Sequence, residues 1–212
     1  MASVFYAPGG LAAEGMILIE AVSNDTTDNN NHEWKRPWEL GIIGGLLFST
    51  VEGDLTETHT YIPDFHAGVY GNVELFYPLG LRVEMYYVGL GTGFASLGDS
   101  KLHFNYLTVP AMFTYQFRPL FQLEVGPYIG VLLNAKDQGD DFKEDITDLV
   151  NWLDVGVKIG IRYELSQVVD IGVYFNRGFI NTQRGDRVSQ FKQYNQCIMF
   201  TTCVSITEML NK

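Results

Sequence analysis

The sequence predicts an all-β chain: an eight-stranded antiparallel up-and-down transmembrane β-barrel preceded by a flexible N-terminal tail. Three observations carry that expectation. From Trp38 onward, apolar and polar residues alternate over stretches of roughly 10–15 positions, the period-two mark of strands with unlike faces. These stretches far exceed the roughly 5–6 residues of an average strand in a soluble protein. The 212 residues include 22 glycines and 14% aromatics but only 18% charged residues, which disfavours a helical bundle built on Ala, Leu, Glu and Lys.

The eight segments are read in order. The first, 38–50, opens on Trp38 and runs through LGIIGGLLFST. In the second, 64–77, Phe65, Ala67, Val69, Val73, Leu75 and Tyr77 oppose His66, Tyr70, Asn72 and Glu74. In the third, 80–94, Leu81, Val83, Met85 and Tyr87 oppose Arg82, Glu84 and Tyr86. The fourth, 101–117, carries NYLTVP. In the fifth, 119–136, Phe121, Leu123, Val125, Ile129, Val131 and Leu133 oppose Gln122, Glu124, Tyr128 and Asn134. In the sixth, 152–165, Leu153, Val155, Val157, Ile159, Ile161 and Tyr163 oppose Asp154, Lys158, Arg162 and Glu164. In the seventh, 167–181, Val169, Ile171, Val173 and Phe175 oppose Asp170, Tyr174 and Asn176. The eighth is 193–208. Three connections are a residue or two long, at Pro78-Leu79, Arg118 and Ser166, and require tight hairpins. Those at the opposite end are longer, the layout of short periplasmic turns and long outer loops. One of these, 140–151, has acidic starts and spaced apolar residues, and is expected to form a short helix.

A soluble barrel would turn the apolar face inward, and a membrane barrel would turn it to lipid. The polar face decides for the membrane. Its cations Arg82, Lys158 and Arg162 are matched by Glu74, Glu84, Glu124, Asp154, Glu164 and Asp170, a pairing that a confined interior needs and a solvated face does not. Glycines on the same face make room for the large side chains, because an eight-stranded barrel is just wide enough inside for side chains. Aromatics gather at segment ends (Trp38, Phe76, Tyr77, Phe94, Phe117, Phe121, Trp152, Tyr163 and Phe179), as interfacial girdles do. The expected interior charge cluster is Glu74, Arg82, Glu84, Glu124, Asp154, Lys158 and Arg162.

Several functions are excluded or weakened. A net charge of −11 argues against nucleic acid as a partner. The longest run without a polar residue, LGIIGGLLF (40–48), is nine residues including three glycines, against the roughly 20 a spanning helix needs. Cys197 and Cys203 are six apart in one segment, about 20 Å, too far to pair. The opening residues do not read as a signal peptide. Lys35 is the first basic residue, and Glu14 and Glu20 interrupt the apolar stretch 11–22. Either the start is that of a mature chain or the protein is cytosolic, and the membrane reading requires the former.

The chain divides into a tail, 1–37, and a barrel, 38–212. The polar run SNDTTDNNNH (23–32) cannot bury enough apolar surface to order itself. Met16, Ile17, Leu18 and Ile19 form an apolar patch expected to dock on a partner outside the barrel. No catalytic residue, cofactor site or metal site is expected. The histidines His32, His59, His66 and His103 form no HxxxH pair, and there is no GxSxG. His66 reads as a hydrogen-bonded interior residue. The glycines of GLGTG (89–93) read as a strand end, and the acidic loop residues lack EF-hand spacing.

Several pieces also resemble a known family. LGIIGGLLFST (40–50), FHAGVY (65–70), NYLTVP (105–110), LEVGPYIGVLL (123–133) and DVGVKIGIRYE (154–164) look like successive strands of the PorT-like outer-membrane β-barrel proteins of Bacteroidota, the "outer membrane protein beta-barrel domain". The resemblance runs from 38 to about 206. It implies a place in the cell outer membrane, contact with outer-membrane lipid, and no single activity. Some relatives serve type IX secretion and gliding, and many are porin-like. The function expected from charges filling a small barrel is a non-enzymatic structural or partner-binding subunit of an outer-membrane complex, with other outer-membrane or periplasmic subunits as partners. The alternatives are a small-solute porin or narrow channel, a lipid-modifying outer-membrane enzyme, and a soluble ligand-binding barrel.

Overall fold

A computed structural model describes residues 38–53, 59–94, 100–138, 143–182 and 192–210. The tail expectations, including docking at Met16, Ile17, Leu18 and Ile19, lie outside the described residues, as does the side chain of Phe94. Ten strands form: β1 (Trp38–Gly53), β2 (His59–Thr60), β3 (Ile62–Phe76), β4 (Leu79–Phe94), β5 (Ser100–Arg118), β6 (Phe121–Gln138), β7 (Lys143–Asp145), β8 (Leu153–Glu164), β9 (Val169–Gly178) and β10 (Gln193–Ser205). The short β2 and β7 extend the sheet on β4 and β6. The other eight pair antiparallel in the ring β1-β3-β4-β5-β6-β8-β9-β10, and β10 closes on β1. Closure leaves no free edge within this eight-stranded ring, which is the condition for strands to cross lipid.

The alternation fixes the faces throughout. Leu46, Val69, Val83, Phe113, Ile129, Ile161 and Val173 lie outside, each more than a third exposed, while Arg82, Glu84, Glu124 and Lys158 are wholly buried inside. Aromatic rings cluster near the turns: Phe117, Phe121 and Tyr163 stack in sequence with centroids 5.9 and 4.9 Å apart. At the loop end Trp152 and Phe179 are exposed. Cys197 and Cys203 are free and buried inside.

Two prolines interrupt the ladder. Pro110 on β5 and Pro127 on β6 have no N–H to donate, and the β5–β6 pairing skips between Pro110↔Tyr128 and Phe113↔Val125. The β4–β5 pairing likewise skips between Val83↔Ala111 and Tyr86↔Thr108.

Two expectations need correction. The last strand ends at Ser205 instead of continuing to residue 208, and Ile206–Met209 form a helical turn, α1. Ser205 and Glu208 have the S-x-x-E spacing of a helix start, and Ser205 Oγ accepts the Glu208 amide at 3.3 Å. Thr207 Oγ1 then accepts the Leu40 amide at 2.9 Å, which folds α1 onto the start of β1. The acidic loop forms β7 and a single 3-10 turn, Thr147–Leu149, in place of the expected helix. Asp145 Oδ1 accepts both the Thr147 amide (2.9 Å) and hydroxyl (2.6 Å), and Thr147 Oγ1 accepts the Ala135 amide (2.9 Å). Such local side-chain bonds compete with the helical ladder. They also hold the Asp145 carboxyl below its ordinary value, so the turn is favoured at neutral pH and loosens as acid protonates it.

Interior tyrosines lie against interior glycines. A Cβ on Gly41 would sit 2.5 Å from a Tyr70 ring carbon and one on Gly156 2.6 Å from Tyr128, and one on Gly160 would overlap the Tyr174 ring. On Gly68 it would meet Cα and Cβ of Tyr86 at 2.5 Å, atoms fixed to the backbone of β4. Gly68→Ala is therefore expected to destabilise the barrel by about 1–3 kcal/mol, the usual cost of overpacking. The midpoint of the heat-induced gel-mobility shift would fall, and an unchanged midpoint would mean that β3 and β4 can move apart at this level.

Candidate functional site

Three cations and their carboxylates form one connected chain inside the barrel. Lys158 Nζ on β8 donates to Glu84 Oε2 on β4 at 2.5 Å. The other oxygen of Glu84 accepts Arg82 Nε at 2.7 Å. Arg82 Nε also lies 3.9 Å from Glu124 Oε2 on β6. Glu124 Oε1 accepts Arg162 Nε at 2.8 Å, and Arg162 Nη1 reaches Asp170 Oδ2 on β9 at 2.6 Å. Arg162 also bonds Gln122. Glu84 and Glu124 each bridge cations from β4 and β8, and Asp170 extends the chain to β9, so it ties β4, β6, β8 and β9 across the lumen.

Aromatic rings complete the shell. The Arg82 guanidinium stacks 3.9 Å over Tyr70, whose hydroxyl donates to Glu39 at 2.8 Å. Lys158 Nζ lies 4.3 Å from the centroid of Tyr174 and 4.9 Å from that of Tyr86. A ring face attracts a cation, and the attraction grows where water is excluded. The Tyr174 hydroxyl donates to Glu124 Oε2 at 2.8 Å, and Arg82 Nη2 lies 3.1 Å from Cys203 Sγ.

Of the seven residues expected in the cluster, Arg82, Glu84, Glu124, Lys158 and Arg162 come together in this chain. Glu74 is elsewhere: its ladder partner is Gly80, toward the turns, where it lines a small pocket with Asn72, Thr114 and Gln122. Asp154 is also apart, accepting Tyr128 Oη at 3.2 Å and Asn195 Nδ2 at 3.1 Å. Asp170, Gln122 and Glu39 enter the chain or its shell without having been in that set. Their alternation marks them as interior, but no spacing rule pairs residues across the lumen.

Toward the loops the interior turns apolar. Leu47, Val51, Val88, Leu90, Phe104 and Tyr106 are buried there, with Val150 above them and Ile146 packed against the group. His66 is buried, with Nε2 3.1 Å from Thr201 Oγ1 and its ring against Tyr86. Among the described residues, no three His, Cys, Asp or Glu side chains gather as metal ligands.

Removing one member of the chain takes a buried counter-charge from its partners. Arg162→Ala would remove the cation bonded directly to Glu124 and to Asp170, and is expected to cost about 3–5 kcal/mol. Urea unfolding in detergent micelles, followed by tryptophan fluorescence, would measure it. An unchanged midpoint would show that these carboxylates are satisfied without the arginine.

The fold is that of known outer-membrane proteins. Neisserial surface protein A (NspA) superimposes with a TM-score of 0.55 at 12% identity, covering 79% of this chain and 97% of its own. Ail, the attachment invasion locus protein of Yersinia pestis, gives 0.50 at 15% identity, covering 79% and 98%. No curated protein matches the sequence significantly. The family model described as outer membrane protein beta-barrel domain matches residues 23–184. With the closed ring and its lipid-ready belt, this match places the chain in the outer membrane, as a member of the outer membrane protein beta-barrel domain family.

Proposed function

We propose that this barrel is a non-enzymatic structural or partner-binding subunit of an outer-membrane complex. The observation that carries the reading is the filled lumen. The ion chain crosses it at one level, and the Leu47, Val88, Leu90 and Phe104 group occupies the next. One pocket between interior side chains measures about 10 Å³ and two beside the turns about 10–20 Å³, room for a water molecule and little more. A lumen packed in this way favours no passage of solute and moves function to the loops, the tail and the lipid-facing wall. The resemblance to PorT-like proteins of Bacteroidota points the same way, toward a secretion or assembly machine of the type IX kind. An enzymatic role gains no support from His66, which is sealed inside beside Thr201.

In planar lipid bilayers the purified protein is expected to insert without discrete conductance steps. Reproducible single-channel steps would overturn this reading in favour of a narrow channel. Deleting residues 1–31 is expected to leave folding intact, read by heat-modified gel mobility, and to weaken co-purification of partner proteins in mild detergent. A truncated chain that fails to fold would make the tail part of the barrel, and one that keeps every partner would assign it no docking role.

A further inference from the structure

Asp154 is a buried carboxylate that stands outside the ion chain. Asp154 is 3% exposed, and no Lys or Arg among the described residues lies within ion-pair distance of it. Lys158, on the same face of β8, is four residues away, about 13 Å along the strand, and is held by Glu84. A carboxylate taken out of water is costly unless its charge is matched. The two side-chain hydrogen bonds to Asp154 fall on one oxygen: Tyr128 Oη and Asn195 Nδ2 both donate to Oδ2. Asp154 Oδ1 has no hydrogen-bond partner.

Two further oxygens share that condition. Asn176 Oδ1 and Asn195 Oδ1 are also buried and unpartnered, while the amide nitrogens of both residues are engaged, Asn176 Nδ2 with Tyr86 Oη at 3.3 Å. Asn176 is 7% exposed and Asn195 2%. Asp154, Asn176 and Asn195 line a single cavity of about 10 Å³ with Thr108 and Tyr128. Gly178 lets Asp154 Oδ1 lie close against the backbone of β9, since a Cβ there would sit 2.5 Å from it. All three open atoms are acceptors. One water has two protons to give, which leaves one oxygen unsatisfied and the charge untouched.

From this geometry we propose that Asp154, Asn176 and Asn195 bind a monovalent alkali cation of the sodium class inside the barrel. Hard oxygen donors suit an alkali or alkaline-earth ion. A single carboxylate matches a single positive charge, and the cavity admits one small ion with no hydration shell of its own. The cation would hold β8, β9 and β10 together at the level above the ion chain, as Arg162 holds β6, β8 and β9 within it.

The test is the melting temperature of the full chain in detergent micelles, with sodium chloride replacing choline chloride at fixed ionic strength. Choline is too large for the cavity. Sodium is expected to raise the wild-type melting temperature saturably, by about 3–6 °C. Asp154→Asn is expected to abolish the response and to melt no lower than wild type in choline. Asn176→Ala, which keeps the carboxylate, is expected to shift the response to at least tenfold higher sodium. Equal wild-type melting temperatures in sodium, potassium and choline would overturn the proposal and leave the site to water or to the neutral acid form of Asp154. A sodium response that persists unchanged in both variants would place the ion elsewhere. The wild-type series decides the matter even if a variant fails to fold.

Discussion

Everything inside this barrel depends on one requirement: charges confined to a narrow cylinder must find partners there. Eight strands enclose a lumen barely wider than the side chains it holds. Arg82, Lys158 and Arg162 cannot reach water around them, so Glu84, Glu124 and Asp170 must meet them with specific geometry. Because Glu84 and Glu124 each serve cations from separate strands, the chain acts as a set of struts across the lumen. Pairing of this kind sets which residues can lie at each level and leaves little freedom for a strand to slip.

The glycines follow from the same limit on width. Five large tyrosines share the lumen with three long cations, and the volume is recovered where Gly41, Gly68, Gly156 and Gly160 leave out a side chain against Tyr70, Tyr86, Tyr128 and Tyr174. The tyrosines in turn serve the charges. Tyr70 and Tyr174 offer their faces to Arg82 and Lys158 and their hydroxyls to Glu39 and Glu124. An interior of glycine, tyrosine and ion pairs is thus one packing solution, with Gly making possible what Tyr and Arg require.

Much of this was legible because period-two alternation is unambiguous over long strands. The inward direction of Arg82, Glu124 or Tyr174 needed only a count of residues. What alternation does not carry is the stagger between strands, which sets levels around the ring. Hence Glu74 and Asp154 share the face of the ion chain but not its level, while Asp170 reaches Arg162 from a neighbouring strand. Near the loops apolar residues occupy both faces, as at Leu47, Val51, Val88 and Leu90, so the change from a charged to an apolar lumen left no mark in the pattern. The helical turn after Ser205 was masked for a related reason. The alternating register continues through Ile206 while the S-x-x-E cap redirects the backbone.

The division of charge along the chain constrains the order of assembly. Up to the end of β6 the ion chain has contributed Glu84 and Glu124 but only Arg82 as a counter-charge. Both remaining cations, Lys158 and Arg162, arrive on β8. A curl of the earlier strands inserted alone would expose surplus carboxylates to hydrocarbon, where each unpaired charge is strongly disfavoured. Strand-by-strand entry into the bilayer is therefore unfavourable, and β8 must be delivered before the early strands can settle. Insertion and closure are coupled events for this chain, and its late hairpin, β8 with β9, is the piece whose arrival commits it.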